Sequence, residues 1–448
     1  MKIAVIGAGV AGVSTAFELA RSGHEVDVFE RHGSVASEGS FAHAGLLSPS
    51  GVLPWAHATT PAQSLRQWLN RPSPHRTQMR FDPATFSWML KRRRAWRASG
   101  LAVSRARLQR LALFSRTRLA TLVDELQLDH ERAMGHLVLL RTEAEVTAVA
   151  PALLQFEEAG IACSVLTPQQ CLAVEPGLNV DTALAAGIYF PHEEVGNCRE
   201  FTVLLRAHAQ RLGVRFNFHS EARQLLPGRR PQLVHMHARD AIALTAAANA
   251  EAKSRAGPAT APMPMEPQTD AFDAIVVCAA MGTDALLRPH RLTLPLLPIW
   301  GHTVTAPMRH REAGLTSGPR AAVTDALHQV TINRLGQRLR ITGGMEYGAM
   351  RSDQQQPAQE RLYKALDDWF PGSAQMSQVQ WWKGASPTLA DGQPLLGPSG
   401  LDGIWLNIGH GRNGWTLACG SARLMAEMLG RQTPSIDIEG LGLERFRS

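Results

Sequence analysis

Residues 2–31 read KIAVIGAGVAGVSTAFELARSGHEVDVFER. Lys2–Ile6 is an apolar run of strand length. Val13, Ala16, Phe17 and Ala20 then recur at helical spacing, Gly23 stops the helix, and Glu25–Glu30 alternates as a strand does. Between strand and helix, Gly7, Gly9 and Gly12 form GxGxxG. In that pattern Gly7 permits the tight turn, Gly9 lets the backbone approach a pyrophosphate, and Gly12 lets the helix pack on the sheet. A phosphate then rests on free amides at the positive end of the helix. Glu30 falls where a carboxylate bonds a ribose hydroxyl, and it would repel the 2′-phosphate of NADP. Val10, Ala11 and Arg31 complete this first set of cofactor-binding residues.

The far end of the chain separates FAD from NAD. Gly409-His410-Gly411-Arg412-Asn413-Gly414 again runs from a strand into a helix, Trp415–Leu429. A helix N-terminus aimed at a flavin ring stabilises negative charge on the reduced ring. NAD enzymes usually finish the cofactor domain in one continuous block, so a second turn of this kind, so far along the chain, selects FAD.

At 448 residues the chain is long enough for two or more domains. A composition of 44% hydrophobic and 19% charged residues is that of a globular enzyme, not of a disordered chain. No run of about 18 apolar residues offers a membrane span. The apolar start Ile3–Val13 has fixed glycine spacing and no cleavage pattern, so it reads as mature structure and not as a leader. Cys163, Cys171, Cys198, Cys278 and Cys419 form no CxxC pair, which argues against a disulfide framework or a metal site and for a reducing, cytoplasmic setting. The net charge of +7 is concentrated in Lys91-Arg92-Arg93-Arg94, Arg97, Arg105, Arg107, Arg110, Arg116 and Arg118. A solvated helical face explains these charges. Phe86, Trp88, Met89, Leu90 and Trp96 among them also fit peripheral contact with an inner membrane surface. No nucleic-acid module accompanies them.

Helices are expected from about Arg76 to Gln127, over Leu166–Glu175 and over Arg199–Leu212. Strands are expected at Gly187–Pro191, Val214–Phe218, Ala274–Cys278 and Trp405–Ile408. Thr303–Thr305, Gln329–Ile332 and Arg338–Thr342 suggest antiparallel strands of a second sheet. Residues 246–269, rich in Ala, Pro, Ser and Thr and without periodicity, read as a flexible insertion.

With both ends read, the chain resembles the D-amino acid oxidase superfamily of flavoproteins. Within it the resemblance is to the small, FAD-bearing subunits of bacterial D-amino acid dehydrogenases, with glycine oxidase-like features. Besides residues 2–31, the segments that carry it are SFAHAGLLSPSGVLPW (40–55), GIYFPHEEVGNCREFT (187–202), DAIVVCAA (273–280), ADGQPLLG (390–397) and WLNIGHGRNGWTLACGS (405–421). The resemblance implies an α/β fold, α+β overall: a Rossmann-type FAD-binding domain (1–75, 190–289 and 392–448) and a substrate domain (76–189 and 290–391) with a mostly antiparallel sheet. It implies oxidation of an amine or amino acid to an imine, which water converts to a 2-oxo acid and ammonia, with a quinone or another acceptor taking the electrons. Ser40, His43, Ala44, Gly45 and Leu46 would then pass near the flavin ring. Val214 would touch the adenine side. Gly409, Gly411, Asn413, Gly414, Trp415 and Thr416 would lie at the pyrimidine edge.

Two departures stand out. Relatives that oxidise amino acids clamp the carboxylate with the arginine of a GxRP segment, since a guanidinium grips it bidentately. Here Gly384-Ala385-Ser386-Pro387 puts Ser386 at that place, and Trp300 stands where close relatives carry a basic residue. Arg412 is the replacement clamp expected from the glycine oxidase branch, with Lys383 a second candidate. Trp300, Trp382 and His302 would shape the pocket, His410 would polarise the ring edge, and His43 sits near a position of covalent flavin attachment in some relatives. An oxygen-using oxidase of an amine without an α-carboxylate, and a flavin-bearing subunit of a larger complex, remain alternatives at this stage.

Overall fold

The computed structural model describes residues 1–53, 83–237, 266–309, 318–348 and 355–446. The opening segment forms the elements expected: strand Lys2–Ile6, helix Val10–Arg21 and strand Glu25–Glu30. Lys2–Ile6 lies in the middle of a six-stranded sheet. Its order is Leu395–Pro398, Ile404–Ile408, Ala274–Val277, Lys2–Ile6, Glu25–Glu30, Arg215–Phe218. Every pairing in it is parallel except the edge strand Leu395–Pro398.

The unbroken apolar run of the central strand has a simple cause, burial on both faces. Ile3 and Val5 join Val13, Phe17 and Trp415 in one core, among the helices. Ala4 and Ile6 face the other way, onto Leu225, Leu233 and Phe272. Leu225 and Leu233 belong to a three-stranded antiparallel sheet, Ser220–Leu226, Gln232–His237 and Gln268–Ala271, that the sequence reading did not anticipate. Of the expected insertion, 246–265 lies outside the described residues, and its last two residues belong to the Gln268–Ala271 strand.

The second sheet has nine strands. Gln380–Leu389, Leu296–Pro307, Arg338–Tyr347, Val330–Leu335 and Ala322–Asp325 run antiparallel in that order. A parallel pairing then joins Ala322–Asp325 to Ala133–Leu140, so the sheet is mixed at that one junction. Ala186–Val195 follows, antiparallel, and carries Leu46–Leu47 and Ser164–Leu166. Pro191 cannot donate a ladder bond, and it falls at the irregularity opposite Met134–His136, where none is needed. Helix Gln355–Trp369 covers one face of this sheet through Leu362, Leu366 and Trp369, against Val304, Val323 and Ile341. The basic stretch forms two helices, Pro83–Ala95 and Ala98–Leu126; residues 76–82 lie outside the described residues.

Helix Val10–Arg21 carries the fully buried carboxylate Glu18. It accepts from Arg118 Nε at 2.6 Å, and Arg423 lies 3.7 Å from its other oxygen. One carboxylate thus ties Ala98–Leu126 and the C-terminal helix Gly414–Leu429 to the first helix. Breaking a buried ion pair from one side costs about 3–5 kcal/mol, because the partner charge stays buried and uncompensated. Glu18→Ala is therefore expected to lower unfolding free energy by roughly that amount in urea titration, and a loss under 1 kcal/mol would show that the arginines re-solvate freely.

Candidate functional site

A cavity of about 470 Å³ opens at the C-terminal ends of Lys2–Ile6 and Ala274–Val277, in the crevice where parallel α/β sheets hold ligands. Its lining includes Gly7, Gly9, Val10, Ala11, Gly12, Glu30 and Arg31 at one end, and Gly409, His410, Gly411, Gly414 and Trp415 at the other. Ser40, His43 and Ser386 lie along it.

The glycine pattern is sterically required. Gly7 has φ +101°, and a Cβ there would sit 2.6 Å from Cys278 O; a Cβ on Gly12 would sit 1.9 Å from Gly7 O. Gly9 differs. A Cβ there would meet only Ser40 Oγ, at 3.5 Å, so the space beside Gly9 belongs to the cavity and not to the protein. No side chain caps the helix at Gly9 and no acidic residue occupies its first turn, while Ser40 Oγ accepts from Val10 N at 3.1 Å. Glu30 Oε2 accepts from Ala8 N at 2.8 Å and Oε1 from His32 N at 2.9 Å. These bonds fix the carboxylate at the cavity wall with lone pairs to spare for a diol. The donor set, an open helix end followed by a fixed carboxylate, fits the adenosine diphosphate half of FAD.

At the other end, helix Gly414–Leu429 also begins uncapped and without acidic residues in its first turn. The Asn413 side chain points away from it and donates to Val52 O at 2.6 Å. His410 is buried, its Nε2 lies 3.0 Å from Ser421 Oγ, and burial lowers its pKa to about 4. It is neutral at physiological pH, so the expected polarisation of the ring edge cannot come from an imidazolium. His43 is neutral too. Burial lowers its pKa to about 4, assisted by the nearby Arg340 and Arg412 charges and opposed by its bond to the Arg412 carbonyl. Its Nδ1 accepts from Gly45 N at 3.2 Å, and its Nε2 donates to Arg412 O at 3.1 Å. Both ring nitrogens are engaged in these bonds.

The Arg412 side chain reaches solvent, but protein crowds the rest of it, and the lost hydration lowers its pKa from the usual guanidinium value. Its hydrogen-bond partner among the described residues is the Met345 sulfur, at 3.0 Å. Lys383 is engaged instead with Glu346, at 2.6 Å. Glu346 also accepts from His302 Nε2. Burial raises the Glu346 pKa, but the His302 and Lys383 bonds outweigh it and hold the carboxyl below its usual range.

Several expected residues do not line the cavity, Arg412 and Asn413 of the Gly409–Gly414 turn among them. Val214 is in the core beside Phe17, one residue before its strand, and so does not reach an adenine. Thr416 is buried and accepts from Ser48 N at 3.4 Å. Trp300 donates to Gly348 O at 2.8 Å, and His302 is buried and bonded through Nε2 to Glu346 in the second sheet. Ala44, Gly45 and Leu46 act through the backbone: Ala44 O accepts from Asn333 Nδ2, Gly45 O from Trp415 Nε1, and Leu46 pairs with Val195.

The reading also missed lining residues. Cys278, Ala279 and Gly282 follow strand Ala274–Val277, whose parallel pairing with Lys2–Ile6 brings its end to the same crevice. The motif DAIVVCAA carried that signal. Ser220–Arg223 and Glu38 carried none: SEARQLL lacks alternation, and Glu38 is placed by bonds to Arg31 and His32.

A family model described as DAO, FAD dependent oxidoreductase, matches residues 2–428. The chain is 32% identical over 448 residues to a D-amino acid dehydrogenase of Bradyrhizobium diazoefficiens, an alignment covering 100% of this chain and 99% of that protein. It is 33% identical to a D-amino acid dehydrogenase of Rhizorhabdus wittichii, covering 100% of both. Among solved structures, glycine oxidase from Geobacillus kaustophilus superposes with a TM-score of 0.72 at 20% identity, covering 98% of this chain and 97% of that one.

Two outcomes follow from the cavity geometry. Gly9→Val is expected to fold and to purify colourless, whereas Gly12→Val fails to fold; the absorbance ratio of flavin to protein, beside circular dichroism, separates them. Acid precipitation of the wild type is expected to release all flavin to the supernatant, and a yellow pellet would assign a covalent bond.

Proposed function

The chain belongs to the DAO family of FAD dependent oxidoreductases, and from that premise we propose that it oxidises the C–N bond of a D-amino acid and passes the electrons to a quinone. The carrying observation is Arg412, a cation at the turn before the C-terminal helix whose hydrogen-bond partner among the described residues is a thioether, not a counter-ion. A guanidinium so placed grips a carboxylate bidentately, in a crowded setting where the bond is strengthened. Ser386, where relatives carry the clamping arginine, lines the cavity as a neutral wall.

Bound FAD supplies a two-electron acceptor for hydride. The chain does the positioning. Arg412 anchors the substrate carboxylate, which turns the Cα–H toward the cavity. His43 and His410, both with pKa about 4, are poor bases at neutral pH, so the amine arrives already deprotonated by solvent. The buried Lys383–Glu346–His302 network is internally neutralised and leaves the carboxylate to Arg412. The resulting imino acid hydrolyses to a 2-oxo acid and ammonia. The six-stranded sheet draws on residues 2–6, 25–30, 215–218, 274–277, 395–398 and 404–408, which supports a cofactor domain of 1–75, 190–289 and 392–448. The free cysteines, four of them buried, support a cytoplasmic setting, and among the described residues no helix is long and apolar enough to cross a membrane.

The reading is tested by anaerobic mixing with D- and L-amino acids and with amines lacking a carboxylate, following loss of flavin absorbance. D-amino acids are expected to bleach it, and bleaching by the uncharged amines alone would overturn the assignment. Stopped-flow reoxidation is expected to be faster with a quinone than with oxygen. Arg412→Ala should lower kcat/KM for carboxylate substrates about 10- to 150-fold, the equivalent of about 1.5–3 kcal/mol, mostly through KM and with flavin content unchanged. An unchanged KM would remove Arg412 from the site.

A further inference from the structure

Residues 83–123 contain ten lysines and arginines and no aspartate or glutamate. On the longer helix much of this charge is used internally, as in Arg118 with Glu18 and Arg110 with Asp437 at 2.9 Å. Helix Pro83–Ala95 and the residues after it differ. Lys91, Arg93, Arg94 and Arg97 are exposed, and none has a carboxylate partner among the described residues. Phe86 is 60% exposed and Leu90 43%. Phe86, Leu90, Arg93 and Arg94 recur at helical spacing, so two large apolar side chains and two of the cations share one stripe, with Lys91 on its flank and Arg97 just past the helix end. The opposite face is tied down: Trp88 Nε1 donates to Thr388 O at 3.1 Å, its ring lies 5.9 Å from Tyr347, and Trp96 Nε1 donates to Asp391 O at 3.3 Å.

We propose that this stripe is a docking face for an anionic lipid bilayer, with Phe86 and Leu90 entering the interface and Lys91, Arg93, Arg94 and Arg97 meeting the headgroups. Charge complementarity selects the partner's sign, and the exposed apolar pair selects a bilayer over a soluble polyanion, which offers nothing to bury a phenylalanine against. The position adds a consequence. Thr388, which holds the inner face of the helix, also bridges to His410 at the cofactor cavity. A docked protein therefore holds its site next to the membrane, within reach of a lipid-soluble acceptor. That route rests on the reading proposed above; the docking itself does not.

The test is flotation of the full, FAD-loaded chain with vesicles of phosphatidylcholine alone or mixed with phosphatidylglycerol. The protein is expected to float with the anionic vesicles only, and less as salt is raised. Replacing Lys91, Arg93, Arg94 and Arg97 with Gln should cost about five-fold in affinity per charge. Phe86→Ser with Leu90→Ser should cost roughly ten-fold or more per side chain. Flavin content and turnover with a soluble dye should not change in either variant. Equal binding to neutral vesicles, or none to either, overturns the proposal in the wild type alone. So does polyglutamate or RNA binding that depends on the four cations while the Phe86/Leu90 variant floats as well as wild type, for that assigns a macromolecular polyanion. Intact vesicle binding without faster turnover on a vesicle-borne quinone would count against the quinone reading and leave the docking face standing.

Discussion

Between Ala42 and Gly45 four consecutive carbonyl oxygens are claimed by donors from outside the loop: Thr303 Oγ1, Arg340 Nη1, Asn333 Nδ2 and Trp415 Nε1, in order. Three of these donors stand on one face of the second sheet, and the fourth on the C-terminal helix that packs against the first. The loop is thus the seam between the two halves of the molecule, and the seam fixes where His43 and the cavity wall lie. A peptide carbonyl shut off from water without a donor costs about 1–3 kcal/mol, so four in a row make the seam a strong constraint on how the sheets can sit. Arg340 makes the point most sharply. It is 6% exposed, its contacts are a carbonyl and the Thr305 hydroxyl, and burial lowers its pKa to about 10. A cation is held in a poorly hydrated place to satisfy one carbonyl of this loop.

The seam also explains what could be read from the sequence and what could not. Residues 2–31 carry their instructions locally: the glycine spacing, the change of hydrophobic period and the closing carboxylate lie within one unit, and the structure follows them almost residue for residue. The Gly409–Gly414 turn is local in the same way. The donors of the seam are not. Thr303, Asn333 and Arg340 lie some 260 to 300 residues from their acceptors and look like ordinary strand residues, since nothing in a strand's own pattern says which backbone its outer face will meet. Ser220–Leu226 was invisible for a related reason. A polar strand at the cavity wall has no alternation to display. Val214 shows the opposite error, a residue next to a strand credited with a contact that its side chain, turned into the core, cannot make.

The sequence shows a missing arginine at Ser386 and a surplus one at Arg412, and the structure gives the physical link between them. Thr388, near the end of strand Gln380–Leu389, bridges to His410, so the strand that lost its cation and the turn that bears one are neighbours. Moving a positive charge from strand to turn changes its backing. On the strand the neighbouring cation, Lys383, is neutralised by Glu346. On the turn, Arg412 has no carboxylate partner among the described residues, and its own carbonyl is held by His43. The strand thus carries a neutralised cation, while the turn beside it carries one whose hydrogen-bond partner among the described residues is a thioether.

The two neutral histidines sharpen this division. Lost hydration holds both near a pKa of 4, and at His43 repulsion by the nearby Arg340 and Arg412 adds to it. Positive potential at the cavity then comes from groups that keep their charge near neutral pH: the N-terminal ends of helices Val10–Arg21 and Gly414–Leu429 and, next to His43 in its wall, Arg340 and Arg412. A site charged in this way keeps the same field across the physiological pH range. On the reading proposed above, a pH dependence of turnover near neutrality then follows the substrate's own ammonium group, whose deprotonation precedes reaction, and not His43 or His410.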